Sequence, residues 1–269
     1  MAKNPNDKSS FLRRTWAEVN LDALEHNYYY LRSRIDDHVK LIAVLKADAY
    51  GHGAVEVART LEALGADAFA VAIVDEAVAL REAGVKSPII VFGGALPGDE
   101  EAILSYHLIP AVHGFEALSR LSQLARAQGV VASYHLKVDT GMGRVGVDYR
   151  HVGKFLDQAV GLPSLRLEGV FTHLASDEAS EYSALQLNRF RTCLKVFETR
   201  DIRVQMVHAA GSAGLLLLRE SWFDAVRPGI ALYGVNPSSN WNECELRPVL
   251  SFKTIVSLLK NLSAGTPLG

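Results

Sequence analysis

Eight short apolar runs, rich in β-branched residues and each set off by a longer amphipathic stretch, constrain the fold of this chain more than any other feature. The runs are residues 41–47 (LIAVLKA), 68–74 (AFAVAIV), 88–94 (PIIVFGG), 108–113 (LIPAVH), 134–139 (YHLKVD), 167–174 (LEGVFTHL), 204–210 (VQMVHAA) and 225–234 (AVRPGIALYG). They are apolar at nearly every position, which suits strands buried on both faces, as in a parallel sheet. Between them apolar residues return at three- and four-residue intervals. Leu21, Leu24, Tyr28 and Leu31 do so first, and residues 75–83, 115–127, 152–160 and 183–199 follow. The segment DEAVALREAG opens on acids and closes on Gly84, the polarity that helix ends prefer. Strand and helix alternating eight times predict an α/β architecture, a (β/α)8 TIM-type barrel, over an open doubly wound sheet.

Such a barrel takes ~250 residues, and the chain has 269. A hydrophobic fraction of 49% and a charged fraction of 22% exclude extensive disorder. A net charge of −2 gives no electrostatic reason to expect nucleic acid or an anionic membrane. Cys193 and Cys244 lack metal-site spacing, and the polar opening segment lacks the apolar core of a signal peptide, so a cytoplasmic location with free thiols is expected. Residues 1–14 read as a polar tail and 15–235 as the barrel, with the strand-like 15–22 (TWAEVNLD) a candidate strand of a second β domain whose remnants are expected at both ends. After Gly234 the texture changes: 236–269 read as a linker and the beginning of a further β unit, with Val249, Phe252 and Ile255 as its apolar residues. No partner strand for that tail is evident. Trp241 and the segment after Pro248 are candidate exposed contacts.

The chemistry-bearing residues gather where strands meet their following loops. Lys46 closes the first apolar run. A buried lysine there suits covalent catalysis or proton abstraction, although a strand-end lysine can also simply reach solvent. KVDTGMGRVG (residues 137–146) places Lys137 and Arg144 around Asp139 and a glycine-rich turn; a surface ion pair is the alternative reading. His173 ends the sixth run. AAGSAG (209–214) and RPGIALYG (227–234) put small residues at the ends of the last two strands, where many barrels bind phosphate, although Ser212 could merely cap a helix. Strand-end lysine and histidine, two cation-bearing loops and a phosphate-type site together describe a pyridoxal-phosphate pocket. No metal site is suggested.

TWAEVNLDALEHNYYYLR, AVLKADAYGHGAVEVAR, KVDTGMGRVG, GVFTHLASDE, HAAGSAG and VRPGIALYG stand in an order and spacing that resemble alanine racemase, a fold-type III family using pyridoxal 5'-phosphate. KADAYGHG is the most specific segment. The resemblance implies that Lys46 is joined to the cofactor and is one of two bases, and that Tyr50 contacts the phosphate. It implies that Arg144 bonds the phenolic oxygen, steadied by Lys137, which is carbamylated in many members. His173 would pack near the pyridine ring, and Arg227 would face its nitrogen with His208 behind it. Ser212, Gly229 and Ile230 match the phosphate cradle. The implied reaction interconverts L- and D-alanine, supplying D-alanine for peptidoglycan, in a head-to-tail homodimer.

Two departures stand out. Gly211 occupies a position where many members have asparagine. In the family the second base is a tyrosine just beyond an AGTPLG-like turn, and none of the nine tyrosines here holds that place. The expectation is therefore weakened cofactor binding and low or absent racemisation by these 269 residues. A racemase of broader specificity and a non-catalytic pyridoxal-phosphate barrel are the alternatives.

Overall fold

The computed structural model describes residues 14–176, 180–239, 241 and 245–267; Cys244 and nearly all of the polar N-terminal tail lie outside them. Eight parallel strands close on themselves: β2 (Lys40–Val44), β3 (Ala68–Val71), β4 (Ile89–Val91), β5 (Ile109–Val112), β6 (Ala132–Asp139), β8 (Leu165–Phe171), β9 (Met206–His208) and β10 (Ala225–Val226). Val226 pairing with Leu41 joins the last strand to the first. A short β7 (Val147–Asp148) lies along β6. All eight expected strands are present, mostly ending earlier than the apolar runs do. At their C-terminal ends the apolar residues turn into the loops that carry the chemistry.

Helices pack around the barrel: α1 (Leu21–Ser33), α2 (Lys46–Gly51), α3 (Ala54–Ala63), α4 (Val74–Glu82), α5 (Glu100–Ser105), α6 (Phe115–Ala127), α7 (Val152–Ala159), α8 (Glu181–Glu198) and α9 (Ser212–Leu217). Asn20 caps α1 by accepting from the Ala23 amide at 3.0 Å, and Leu24, Tyr28 and Leu31 lie on its buried face, as their spacing predicts, whereas Leu21 at the helix start is exposed. Past α4, Gly84 sits at φ 94, in the left-handed region glycine enters without strain.

Alternation along the strands sorts side chains between two layers. Leu41 and Ala43 face the helices, whereas Ile42 and Val44 point inward with Ala68, Ala70, Ile90 and Ile109. The opposite wall of the barrel is polar: His135 and Lys137 from β6, His208 from β9 and Arg227 after β10 are all buried. Buried polar groups need partners, and those partners define the site.

Both ends are strands, as expected, but the expectation that the tail lacks a partner strand fails. β1 (Thr15–Val19) and β11 (Leu250–Thr254) form an antiparallel pair, Val19 opposite Leu250 and Thr15 opposite Thr254. The tail strand thus has a neighbour, from the other end of the sequence, and the chain just ahead of the tail strand is held by buried Asn27 of α1. Its side-chain amide donates to Arg247 O at 2.8 Å and Leu232 O at 3.0 Å, and its Oδ1 accepts from the Arg247 amide at 2.7 Å. Val249 is buried at this junction, while Phe252 and Ile255 stand in solvent.

Candidate active site

Lys46 stands two residues past β2, at the start of a left-handed turn. Ala47, Asp48, Ala49 and Tyr50 have φ of 51–55° and ψ of 36–53°. For residues bearing a Cβ this geometry costs ~1–2 kcal/mol each, roughly 4–8 kcal/mol for the four, so the surroundings must hold it. Glu76, on α4, does much of that. Its Oε1 accepts from the Ala47 amide at 2.6 Å, while Oε2 accepts from Ala72 and Ile73 at 2.7 and 3.3 Å. Asp48 accepts from the Ala54 amide at 2.7 Å and so ties the turn to α3. The turn brings Tyr50 back beside Lys46, whose Nζ lies 5.6 Å from the centre of the phenol ring. Strain of this kind gathers at functional positions.

Lys46 and Tyr50 open onto a cavity of about 450 Å3 at the C-terminal face of the barrel, within the range of small-molecule sites. Lys137, Arg144, His173, Ser212, Arg227, Gly229 and Ile230 also line it. Nine of the ten residues singled out from the sequence therefore share one cavity. The tenth, His208, lies behind Arg227. Four basic side chains line the cavity, and among the described residues no carboxylate does. In place of the ion pair of the alternative reading, Asp139 accepts from the amides of Gly141, Met142 and Gly143 at 2.9–3.2 Å. It shapes the loop that carries Arg144.

Arg227 anchors the polar wall. Its guanidinium donates to Thr172 O at 2.9 Å, Ala209 O at 2.8 Å, His208 Nδ1 at 2.8 Å and His173 Nδ1 at 3.3 Å. A guanidinium only donates, so the proton of His208 is on Nε2, which faces His135 Nδ1 at 3.0 Å. His135 then carries its own proton on Nε2. The same logic puts the His173 proton on Nε2. These rings stay neutral. Burial, then the Arg227 charge, pushes His135 and His173 down to about 3, and burial holds His208 well below the usual histidine range. Lys137 is lowered to about 7 by burial and then by Arg227, with Asp139 opposing. Its Nζ donates to Val138 O at 3.1 Å.

At the far side Ser212 Oγ accepts from the amides of Gly229 and Ala231 at 2.9 and 3.3 Å. It thus joins the ends of β9 and β10 instead of capping its own helix. A Cβ on Gly229 would meet Tyr50 Oη at 2.7 Å, so the missing side chain is what lets the phenol sit there. Phe92, Met142 and Phe171 add apolar surface to the lining. Glu76, His135 and these apolar residues escaped the sequence reading. The acid-rich start of α4 hinted at Glu76, but only a fold brings it to residue 47.

Among the described residues there is no His/Cys/Asp/Glu cluster fit for a metal ion, and no helix is long and apolar enough to cross a membrane. The family model for the alanine racemase N-terminal domain matches residues 19–237. The chain is 43% identical over 258 residues to an alanine racemase of Syntrophobacter fumaroxidans, covering 95% of this chain and 68% of that one. It is 42% identical over 259 residues to that of Carboxydothermus hydrogenoformans, covering 94% and 70%. Among solved structures, alanine racemase of Clostridium difficile in complex with cycloserine superposes with a TM-score of 0.89 at 33% identity, covering 93% of this chain and 70% of that chain. The Streptomyces lavendulae enzyme also gives 0.89 at 33%, covering 95% and 69%. Barrel, cavity and sequence agree, and the chain belongs to the alanine racemase family.

Proposed function

We propose that this chain binds pyridoxal 5'-phosphate in the strand-end cavity and acts on alanine there, interconverting its L and D forms. The observation that carries the reading is the lining: a strand-end lysine with three further basic side chains and no carboxylate among the described residues. Such a lining suits a dianionic phosphate attached to a ring with a phenolic oxygen. The cradle fits as well, since Ser212, Gly229 without a side chain and the Tyr50 hydroxyl converge on one end of the cavity.

When bound, pyridoxal 5'-phosphate draws off the electrons left at Cα as its proton departs. The protein does the rest. Lys46 would hold the cofactor and serve one face of Cα as base. Arg227, a donor that does not release its proton readily, would leave the ring nitrogen unprotonated and so favour return of the proton to Cα over its loss to another position. His173, neutral and Nε2-protonated, would donate beside the ring. Arg144 would bond the phenolic oxygen. Lys137, with an amine partly unprotonated at neutral pH, is suited to take up carbon dioxide as a carbamate that pairs with Arg144. Tyr50, the one tyrosine lining the cavity among the described residues, belongs to the phosphate end in this reading, so no described tyrosine is assigned as the base for the opposite face. We further propose residues 15–235 as the barrel unit and 236–269 as the linker and first strand of a β unit, a homodimeric assembly, and a cytoplasmic location.

The test is a pyridoxal 5'-phosphate titration followed by visible absorbance. The wild-type chain should develop the band of a lysine-bound cofactor, and Lys46→Ala should abolish it. A persisting band would refute the role of Lys46.

A further inference from the structure

Two loops carry much of this lining: the one after β6, with Arg144, and the one after β8, with His173. Neither is held by the barrel alone. One face of α8 grips both. Tyr182, Gln186 and Arg189 stand four and three residues apart, so they share a side of the helix. Tyr182 Oη donates to Gly141 O at 2.6 Å, and Arg189 Nη1 donates to Thr140 O at 2.9 Å. Gln186, wholly buried, reaches both loops at once. Its Nε2 donates to Thr140 Oγ1 at 3.3 Å and His173 O at 3.4 Å, and its Oε1 accepts from the Ala175 amide at 2.8 Å. The hydroxyls of Thr140 and Thr172 close the bridge at 2.8 Å. The grip is tight at Gly141, where a Cβ would lie 2.5 Å from Tyr182 Oη and 3.0 Å from Arg189 Nη1.

We propose that Gln186, aided by Tyr182 and Arg189, is a positioning residue that sets the Arg144 loop against the His173 loop and so tunes the grip on the cofactor; this rests on the site reading above. An amide is suited to the task because it donates and accepts at one side-chain end. A methionine of similar length would fill the space and leave the Ala175 amide without its acceptor.

The experiment titrates pyridoxal 5'-phosphate into wild type, Gln186→Met, Tyr182→Phe and Leu187→Ala, reading Kd, the position of the visible band and the urea midpoint. Leu187 is buried on the same helix and contacts neither loop through a hydrogen bond, so it reports loss of helix packing alone. Gln186→Met should weaken binding roughly 10- to 100-fold and shift the band. Leu187→Ala should lower the urea midpoint while leaving Kd and band unchanged. If Gln186→Met does not fold, Tyr182→Phe, altered at an exposed position, should still weaken binding several-fold. Wild-type affinity and an unshifted band in both clamp variants, or equal weakening in Leu187→Ala, would overturn the proposal. Failure of wild type itself to bind would instead count against the site reading.

Discussion

Gly229→Ala isolates the geometry at the Ser212–Gly229 end of the cavity. A Cβ there would lie 2.7 Å from Tyr50 Oη and 3.3 Å from Cζ. Ordinary contact begins at 3.4 Å, so the hydroxyl must retreat by about 0.7 Å (3.4 − 2.7). Gly229 is not in the left-handed region, so the alanine backbone itself is unstrained and the effect reports the clash. Overpacking of this kind costs ~1–3 kcal/mol. If the strain falls on the bound state, pyridoxal 5'-phosphate affinity drops roughly 5- to 150-fold. A double-mutant cycle with Tyr50→Phe tests the cause. Removing the hydroxyl leaves only the 3.3 Å approach, so Gly229→Ala added to Tyr50→Phe should cost little beyond Tyr50→Phe alone. Strict additivity of the two substitutions, or unchanged affinity in Gly229→Ala, would refute the reasoning.

Two further expectations concern pH and the cofactor-free protein. His135 and His173 are held near 3 in the fold against about 6.5 unfolded. Below pH 6.5 the unfolded chain takes up protons that the fold refuses, so stability falls as pH drops from 6.5 toward 3. Linkage puts the loss between pH 7 and 5 at about 2 kcal/mol per histidine; urea midpoints at the two pH values measure it, and His173→Gln should lose about 2 kcal/mol less over that interval. Equal midpoints at both pH values would contradict the buried neutral rings. Lys137 acts with the same sign on the alkaline side, since its folded-state pKa is also depressed. Its amine is lowered to about 7 in the fold against about 10.4 unfolded, so stability rises by about 2 kcal/mol between pH 7 and 9. Lys137→Met should be more stable at pH 7 and should lack that rise.

Much of the site was legible because a barrel turns order along the chain into position around a ring. A residue that follows a strand lands on one face of the molecule whichever strand it follows. Lys46, Lys137, His173, Ser212 and Arg227 could thus be grouped before any distance was known. What spacing could not reveal was the path of the chain between those points. No local preference announces a left-handed turn at Ala47–Tyr50, because non-glycine residues disfavour it individually. Glu76, twenty-nine positions away, is part of what makes it tolerable. Ser212 has an ordinary local use in capping, and only the fold shows that it instead accepts from the remote amides of Gly229 and Ala231.

By itself the sequence determined the number and order of strands, the faces of the helices and the set of residues at the strand ends. All of these follow from periodicity and from covalent succession. Tertiary structure decided which groups meet. It decided the pairing of β1 with β11 across more than two hundred residues, the protonation of three buried rings from one guanidinium, and the grip of α8 on two loops. Those features depend on contacts between segments remote in sequence, where a hydrogen bond's direction or an ångström of clearance is set by the packing of everything in between.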